Sequence, residues 1–201
     1  MTDLNNLSEM ELDAIKELGN MGVGKAATSI SNMLGREIDM SVPQANIVAI
    51  SKLHEYIASE FPVAAVVTAL ENLEKGNSGF LFVAFPNDTP EKICRILLGE
   101  TSEDMVESSV MEIGNIISSS FCDAIAEFLN TVLIPSPPNY ARDFAIAILQ
   151  VIIAQLAEKS DYLIVFEAEM SDKDDAIEIL IILVPNEKFM GYIAEMLNMV
   201  G

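Results

Sequence analysis

A glutamate stands three residues ahead of an asparagine at Glu17 and Asn20, and again at Glu112 and Asn115. Glu17 and Glu112, Gly19 and Gly114, Asn20 and Asn115, and Pro43 and Pro138 are each 95 residues apart, without a gap in the register. Asp13 precedes the first Glu by four residues, and Ser108 the second. An Asn amide both accepts and donates hydrogen bonds, so it can hold a water molecule in a chosen orientation. It is too weak a base to deprotonate that water. Such a group helps only where the electrophile is already activated and positioning is what the reaction lacks.

These residues need elements that present them. Asp13 to Asn20 returns as Ser108 to Asn115, which divides the chain into two repeated units, roughly 8–103 and 104–201, within one domain. At about 100° per residue, Ile15, Leu18, Gly22, Ala26, Ser29 and Met33 share one stripe of a helix. Val110, Ile113, Ile117, Phe121, Ala124 and Phe128 repeat it. Asp13, Glu17 and Asn20 fall on the opposite, solvent side, as do Ser108, Glu112 and Asn115. Gly24 and Ser119 lie on that outward side one turn later, where a small residue would let another protein's backbone approach, although any exposed face tolerates Gly or Ser. Strands are expected over Glu37 to Val42, Pro62 to Leu70 and Gly79 to Phe85, then Thr131 to Pro135, Tyr162 to Ala168 and Ala176 to Val184. Helices are expected over Thr89 to Leu98 with Asp88 as N-cap, over Asp143 to Lys159 and over Asn186 to Met199. The fold class is α/β, an internally duplicated unit with pseudo-two-fold symmetry whose largely antiparallel sheet is flanked by helices.

Composition removes several classes of function. Of 201 residues, 31 are Asp or Glu and 11 are Lys or Arg, a formal net charge of -20 that repels nucleic acid and anionic membrane surfaces. A hydrophobic content of 51% is too high for an acidic disordered tail. Cys94 and Cys122 lack motif spacing and read as free thiols of a reducing compartment. Cys122 lies near the outward face by angle count, with no adjacent base evident. The start of the chain lacks the pattern of a secretory signal, and Phe144 to Ala157 is too short and too interrupted to span a bilayer. A cytoplasmic location is expected. Gly19-Asn20-Met21-Gly22-Val23-Gly24-Lys25 imitates a phosphate loop, but Ala26 lacks the hydroxyl that holds Mg²⁺ and no strand leads into it. His54 has no nucleophile at motif spacing. Zinc ligands of the usual spacing are missing, and Asp172 to Asp175 lacks the glycine and terminal glutamate of an EF-hand.

A phosphoaspartate held on Mg²⁺ by another protein is an electrophile of the pre-activated kind that an Asn-held water can attack. A Glu one turn away can pair with a lysine beside that phosphoryl group and dock the Asn. The full pattern is Asp or Ser, three residues, Glu, two residues, Asn, twenty-two residues, Pro. It resembles the signature of the CheC, CheX and FliY family, phosphatases of the chemotaxis response regulator CheY, and two copies resemble CheC most. The resemblance implies that Glu17 and Glu112 dock on the active-site lysine of phosphorylated CheY. It implies that Asn20 and Asn115 orient water for in-line attack, with Asp13, Ser108, Pro43 and Pro138 supporting the motif. The two prolines are expected to shape a turn at a strand end. No cofactor is expected in this chain, and Mg²⁺ would belong to CheY. The receptor deamidase CheD is the further partner the resemblance implies. A non-catalytic adaptor that binds CheD or a flagellar component is the alternative. Relatives commonly carry a neutral residue where this chain has Lys25, whose charge would repel the regulator's lysine or reach into water.

Overall fold

The computed structural model describes residues 8–35, 37–57, 62–72, 76–156, 161–171 and 176–200. The first helix, α1 (Glu9–Leu34), begins with a reciprocal cap. The Ser8 N–H donates to Glu11 Oε2 at 2.7 Å, and the Glu11 N–H donates to Ser8 Oγ at 3.3 Å. Both satisfy donors that a helix N-terminus leaves free. Gly35, in the left-handed region at φ 63°, closes the other end by donating its N–H to the Ser31 carbonyl. Ser31 also bonds the Ile38 backbone, accepting from its N–H at 3.0 Å and donating to its carbonyl at 3.3 Å. That clasp sets the start of β1 (Asp39–Ala49).

A turn at 50–52 and the short α2 (Leu53–Tyr56) follow, then β2 (Val63–Asn72), β3 (Gly76–Phe85) and α3 (Thr89–Leu98). The second half runs through α4 (Glu103–Phe128), β4 (Leu133–Pro135), β5 (Asn139–Asp143), α5 (Ala145–Gln155), β6 (Tyr162–Ser171), β7 (Ala176–Pro185) and α6 (Glu187–Val200). The seven strands form one antiparallel sheet in the order β1-β6-β7-β3-β2-β4, with β5 also on β2. This is the expected α/β architecture. The pairing crosses the halves: β1 lies on β6, whereas β4 and β5 lie on β2. The sheet faces carry separate cores. Residues of α1, α3, α4 and α6 pack on one, and residues of α2 and α5 on the other.

Several boundaries differ from the sequence reading. β1 continues past Val42 and Pro43 to Ala49, with a register shift between Ser41 and Gln44. A bulge of this kind accommodates a proline that cannot donate to the ladder. In the second half the matching chain is interrupted outright, between the end of β4 and the start of β5. Asp88 occupies the N-cap of α3 without a capping bond, its carboxylate instead paired with Lys92 at 3.3 Å. In α1 the buried positions follow Leu18, Gly22, Ala26 and Ile30, whereas Ser29 and Met33 are exposed. Those four residues form an i, i+4 ridge of the type that seats one helix on another. α4 is the partner. A Cβ at Gly22 would stand 2.8 Å from the ring of Phe121, which in turn lies 5.4 Å from the Phe166 ring. Among the described residues, the buried hydroxyls of Thr68, Ser109 and Ser118 have no hydrogen-bond partner, and no helix is long and apolar enough to cross a membrane.

Candidate functional site

Two glycines decide how the motif helices sit. A Cβ at Gly19 would stand 2.7 Å from Phe166 Cδ1 on β6, and one at Gly114 2.6 Å from Val66 Cβ on β2. Each helix therefore rests its backbone directly on a strand at the residue preceding its Asn. The side chains on the far side of both helices are turned to solvent. Glu17, Glu112, Asp13 and Ser108 are exposed, and Asn20 and Asn115 are half-buried. Ser108 Oγ donates back to the Asp104 carbonyl at 3.0 Å. Pro43 falls within the bulge of β1, and Pro138, half-buried, falls in the gap between β4 and β5. Pro43 is thus inside a strand rather than at the strand end expected for it, whereas Pro138 stands directly before the first residue of β5.

The two amides are not in the same state. Asn20 Oδ1 accepts from the Val42 N–H at 3.2 Å. Asn115 makes no such bond among the described residues. One turn on from Asn20 the surface is open, since a Cβ at Gly24 would meet nothing within 4 Å. Ser119, the matching residue of α4, is half-buried.

Lys25 neither projects freely nor stands unpaired. Its ammonium lies 2.7 Å from Glu127 Oε2, so α4 supplies the counter-charge and draws the side chain along the helix pair. The bridge also disposes of the phosphate-loop reading, because 19–25 is interior helix and its N–H groups are spent on the helix ladder. Cys122 is wholly buried, and burial first, then the Asp123 charge, pushes its thiol up to about 12. It is not the near-surface thiol that angle counting suggested, since α4 is enclosed well beyond its apolar stripe by α1, the sheet and the α3 side. His54 is exposed and lies 3.9 Å from Glu55. No group of three His, Cys, Asp or Glu side chains is placed to hold a metal among the described residues. The acidic run from Asp172 to Asp175 lies outside them.

A feature that the sequence did not signal adjoins the second motif. A cavity of about 450 Å³ opens between α3, the start of α4 and β5. Glu91, Glu103, Glu107, Tyr140 and Arg142 line it. Burial raises the Tyr140 hydroxyl, against the nearby Arg142 charge and with a smaller push from Glu107 and Glu91. These residues come from three elements, so no local spacing could have joined them. The arrangement as a whole presents, on each motif helix, one exposed carboxylate a turn away from one half-buried amide.

Comparison with known proteins bears on both helices. The chain matches the CheC-like family over residues 10–47 and 105–140, two segments that between them contain both motifs and both prolines. The CheY-P phosphatase CheC of Bacillus subtilis (strain 168) is 28% identical over 188 residues, 89% of this chain and 88% of that protein. The flagellar motor switch phosphatase FliY of the same organism is 27% identical over 144 residues, 68% of this chain and 37% of that one. The crystal structure of Thermotoga maritima FliY superposes with a TM-score of 0.75 at 20% identity, covering 97% of this chain and 99% of the other, and shares the fold.

Proposed function

We propose that this chain, a relative of the CheC-like proteins through both of its long helices, hydrolyses the aspartyl phosphate of the response regulator CheY. The observation that carries the reading is the repeated surface: exposed Glu17 and Glu112, each one turn from a half-buried Asn20 or Asn115, on helices seated against the sheet by Gly19 and Gly114. Glu17 or Glu112 meets the lysine beside the phosphoryl group as a charge-assisted hydrogen bond. Docking brings the Asn amide to the phosphorus face opposite the aspartate. The amide oxygen accepts a hydrogen bond from the attacking water and so aims the water's free lone pair in line, and the water's two protons end on the inorganic phosphate released. The new P–O bond forms as the bond to the aspartyl oxygen breaks, and the aspartate carboxylate leaves. Mg²⁺ would be held by the substrate protein rather than by this chain, and would supply charge neutralisation there. Rate acceleration then arises from orientation, the effect that remains when the electrophile is already activated.

On this reading the domain consists of two repeated units, roughly 8–103 and 104–201, each supplying one site. The protein works in the cytoplasm with its regulator, and CheD is its further partner. Asp13, Ser108, Pro43 and Pro138 support the motif without chemistry.

Phosphate release from phosphorylated CheY in the presence of Mg²⁺ tests the proposal. Asn20→Ala with Asn115→Ala should abolish the acceleration while CheY binding persists. Full turnover in that double variant would defeat the mechanism, and binding without any turnover by the unmodified chain would favour an adaptor.

A further inference from the structure

The geometry points to Val42 and Pro137 as the residues that make the two sites unequal, through a backbone tether present on Asn20 and impossible in the same form on Asn115. The inference rests on the phosphatase reading above and concerns how each amide is released to act.

The Val42 N–H donates to Asn20 Oδ1 at 3.2 Å, at the long end for an N–H···O bond. Val42 is buried, and its Cγ1 lies 3.3 Å from where a Gly19 Cβ would stand. One residue of β1 thus packs on Gly19 and bonds the neighbouring Asn20. The repeat places Pro137 opposite Val42, since Ser41-Val42-Pro43 matches Ser136-Pro137-Pro138 at the same 95-residue spacing. Proline has no N–H to give. The other donor of that turn is also committed. Ser136 Oγ accepts from the Ala69 N–H at 3.0 Å and donates to the Pro137 carbonyl at 3.0 Å. Asn115 therefore makes no corresponding bond among the described residues. The bulge in β1 keeps the strand running past Asn20, whereas the break between β4 and β5 leaves Pro137 exposed.

Asn20 Oδ1 is the atom that must accept from the attacking water, and one of its lone-pair directions is occupied at rest. Entering the regulator's pocket requires Asn20 to turn away from β1 and leave the Val42 N–H behind. Asn115 has no such bond to break. A neutral hydrogen bond of this kind corresponds to a factor of about 2–10 in an equilibrium. The first site is accordingly slower than the second by about that factor, and Val42 is a positioning residue whose effect passes through Asn20.

Two measurements on the full chain test this. In the first, phosphate release is compared between Asn115→Ala, which retains the first site, and Asn20→Ala, which retains the second. The second site should be about 2–10-fold faster, and Val42→Pro in the Asn115→Ala background should recover most of the difference. Equal turnover by the two single-site proteins overturns the inference while leaving the phosphatase reading intact. Inactivity of both, with the unmodified chain also inactive, overturns the phosphatase reading and the inference with it. The second measurement needs no turnover and no proline variant. The Val42 backbone amide resonance should shift on Asn20→Ala, and should move to that same position when the unmodified protein binds CheY carrying a beryllofluoride phosphoryl mimic. A Val42 resonance unmoved by Asn20→Ala, or unmoved in the complex, overturns the tether.

Discussion

The seating of α4 on β2 can be tested with one methyl group. Gly114→Ala would place a Cβ 2.6 Å from Val66 Cβ, an atom fixed to the strand backbone that no side-chain rotation can withdraw. β2 itself cannot retreat, because it is hydrogen-bonded to β3 on one side and to β4 and β5 on the other. The helix must therefore lift. Two opposed effects set the size of the change. Alanine is favoured over glycine inside a helix by about 1 kcal/mol. Forcing an extra carbon into a filled contact costs about 1–3 kcal/mol, and this contact is tighter than an ordinary overpacked one. The second effect wins, for a net loss of about 1–2 kcal/mol and a fall in Tm of about 2–8 °C for a chain of this length. Gly24→Ala is the internal control. It adds the same methyl group to α1 where nothing lies within 4 Å, so only the helix preference remains and Tm should rise by about 1–4 °C. Calorimetry of the two variants beside the unmodified protein reads both. A Gly114→Ala protein as stable as its parent would refute the claim that the repeated glycine exists for close approach. If the helix does lift, Asn115 lifts with it and phosphate release should fall, whereas Gly24→Ala should lose activity only through crowding of the docked surface.

Cys122 should be inert to a thiol reagent at about pH 8 in the native protein and react fully in denaturant, because its buried thiol ionises only near pH 12. As the unfolded thiol ionises near pH 9, folding stability should decline between about pH 9 and 12, and Cys122→Ala should flatten that slope in a pH series of denaturant melts. Glu11 is held below its usual range chiefly by Ser8, so its capping contribution should be complete at neutral pH and fade as pH falls through its lowered value. Amide exchange in the first turn of α1 should quicken in acid, and Glu11→Gln should remove that dependence. Lys25→Ala should cost less than about 1 kcal/mol, since both partners of its bridge are well exposed. A double-mutant cycle with Glu127→Ala reads the coupling. First-site turnover should change little in Lys25→Ala, because the charge is already answered by Glu127.

The parts of this fold legible in the sequence were those with a strong local period. The apolar stripe of α4 from Val110 to Ala124 is buried as expected, and the strand at Phe80 to Phe85 is buried along its length. β5 was not legible. Asn139, Tyr140, Ala141, Arg142 and Asp143 form an edge strand, wet on much of its surface, with no apolar alternation to announce it. The continuation of β1 beyond Pro43 was hidden by the proline itself, which ordinarily ends a ladder and here occupies a bulge. Ile30 replaced Met33 in the core because helix packing follows the i, i+4 ridge toward α4 rather than a straight stripe. At the candidate site, the outward placement of Glu17 and Glu112 came from angle counting alone. The Val42 tether and the cavity at Arg142 did not, because each depends on partners brought together from distant elements.

The exchange of edge strands governs how the chain must be made. β6 and β7 stand between β1 and β3 in the sheet, so β1 has no neighbour until residues 162–171 have been synthesised. Until then a nascent chain holds its first long helix over an unfinished floor, and the hydrogen-bonding rim of β1 is available to any other emerging strand. Neither half keeps its edge strands to itself, since β1 pairs with β6 and both β4 and β5 pair with β2. The two motif helices therefore lie over one continuous sheet, and the strands beneath each come in part from the other half of the chain.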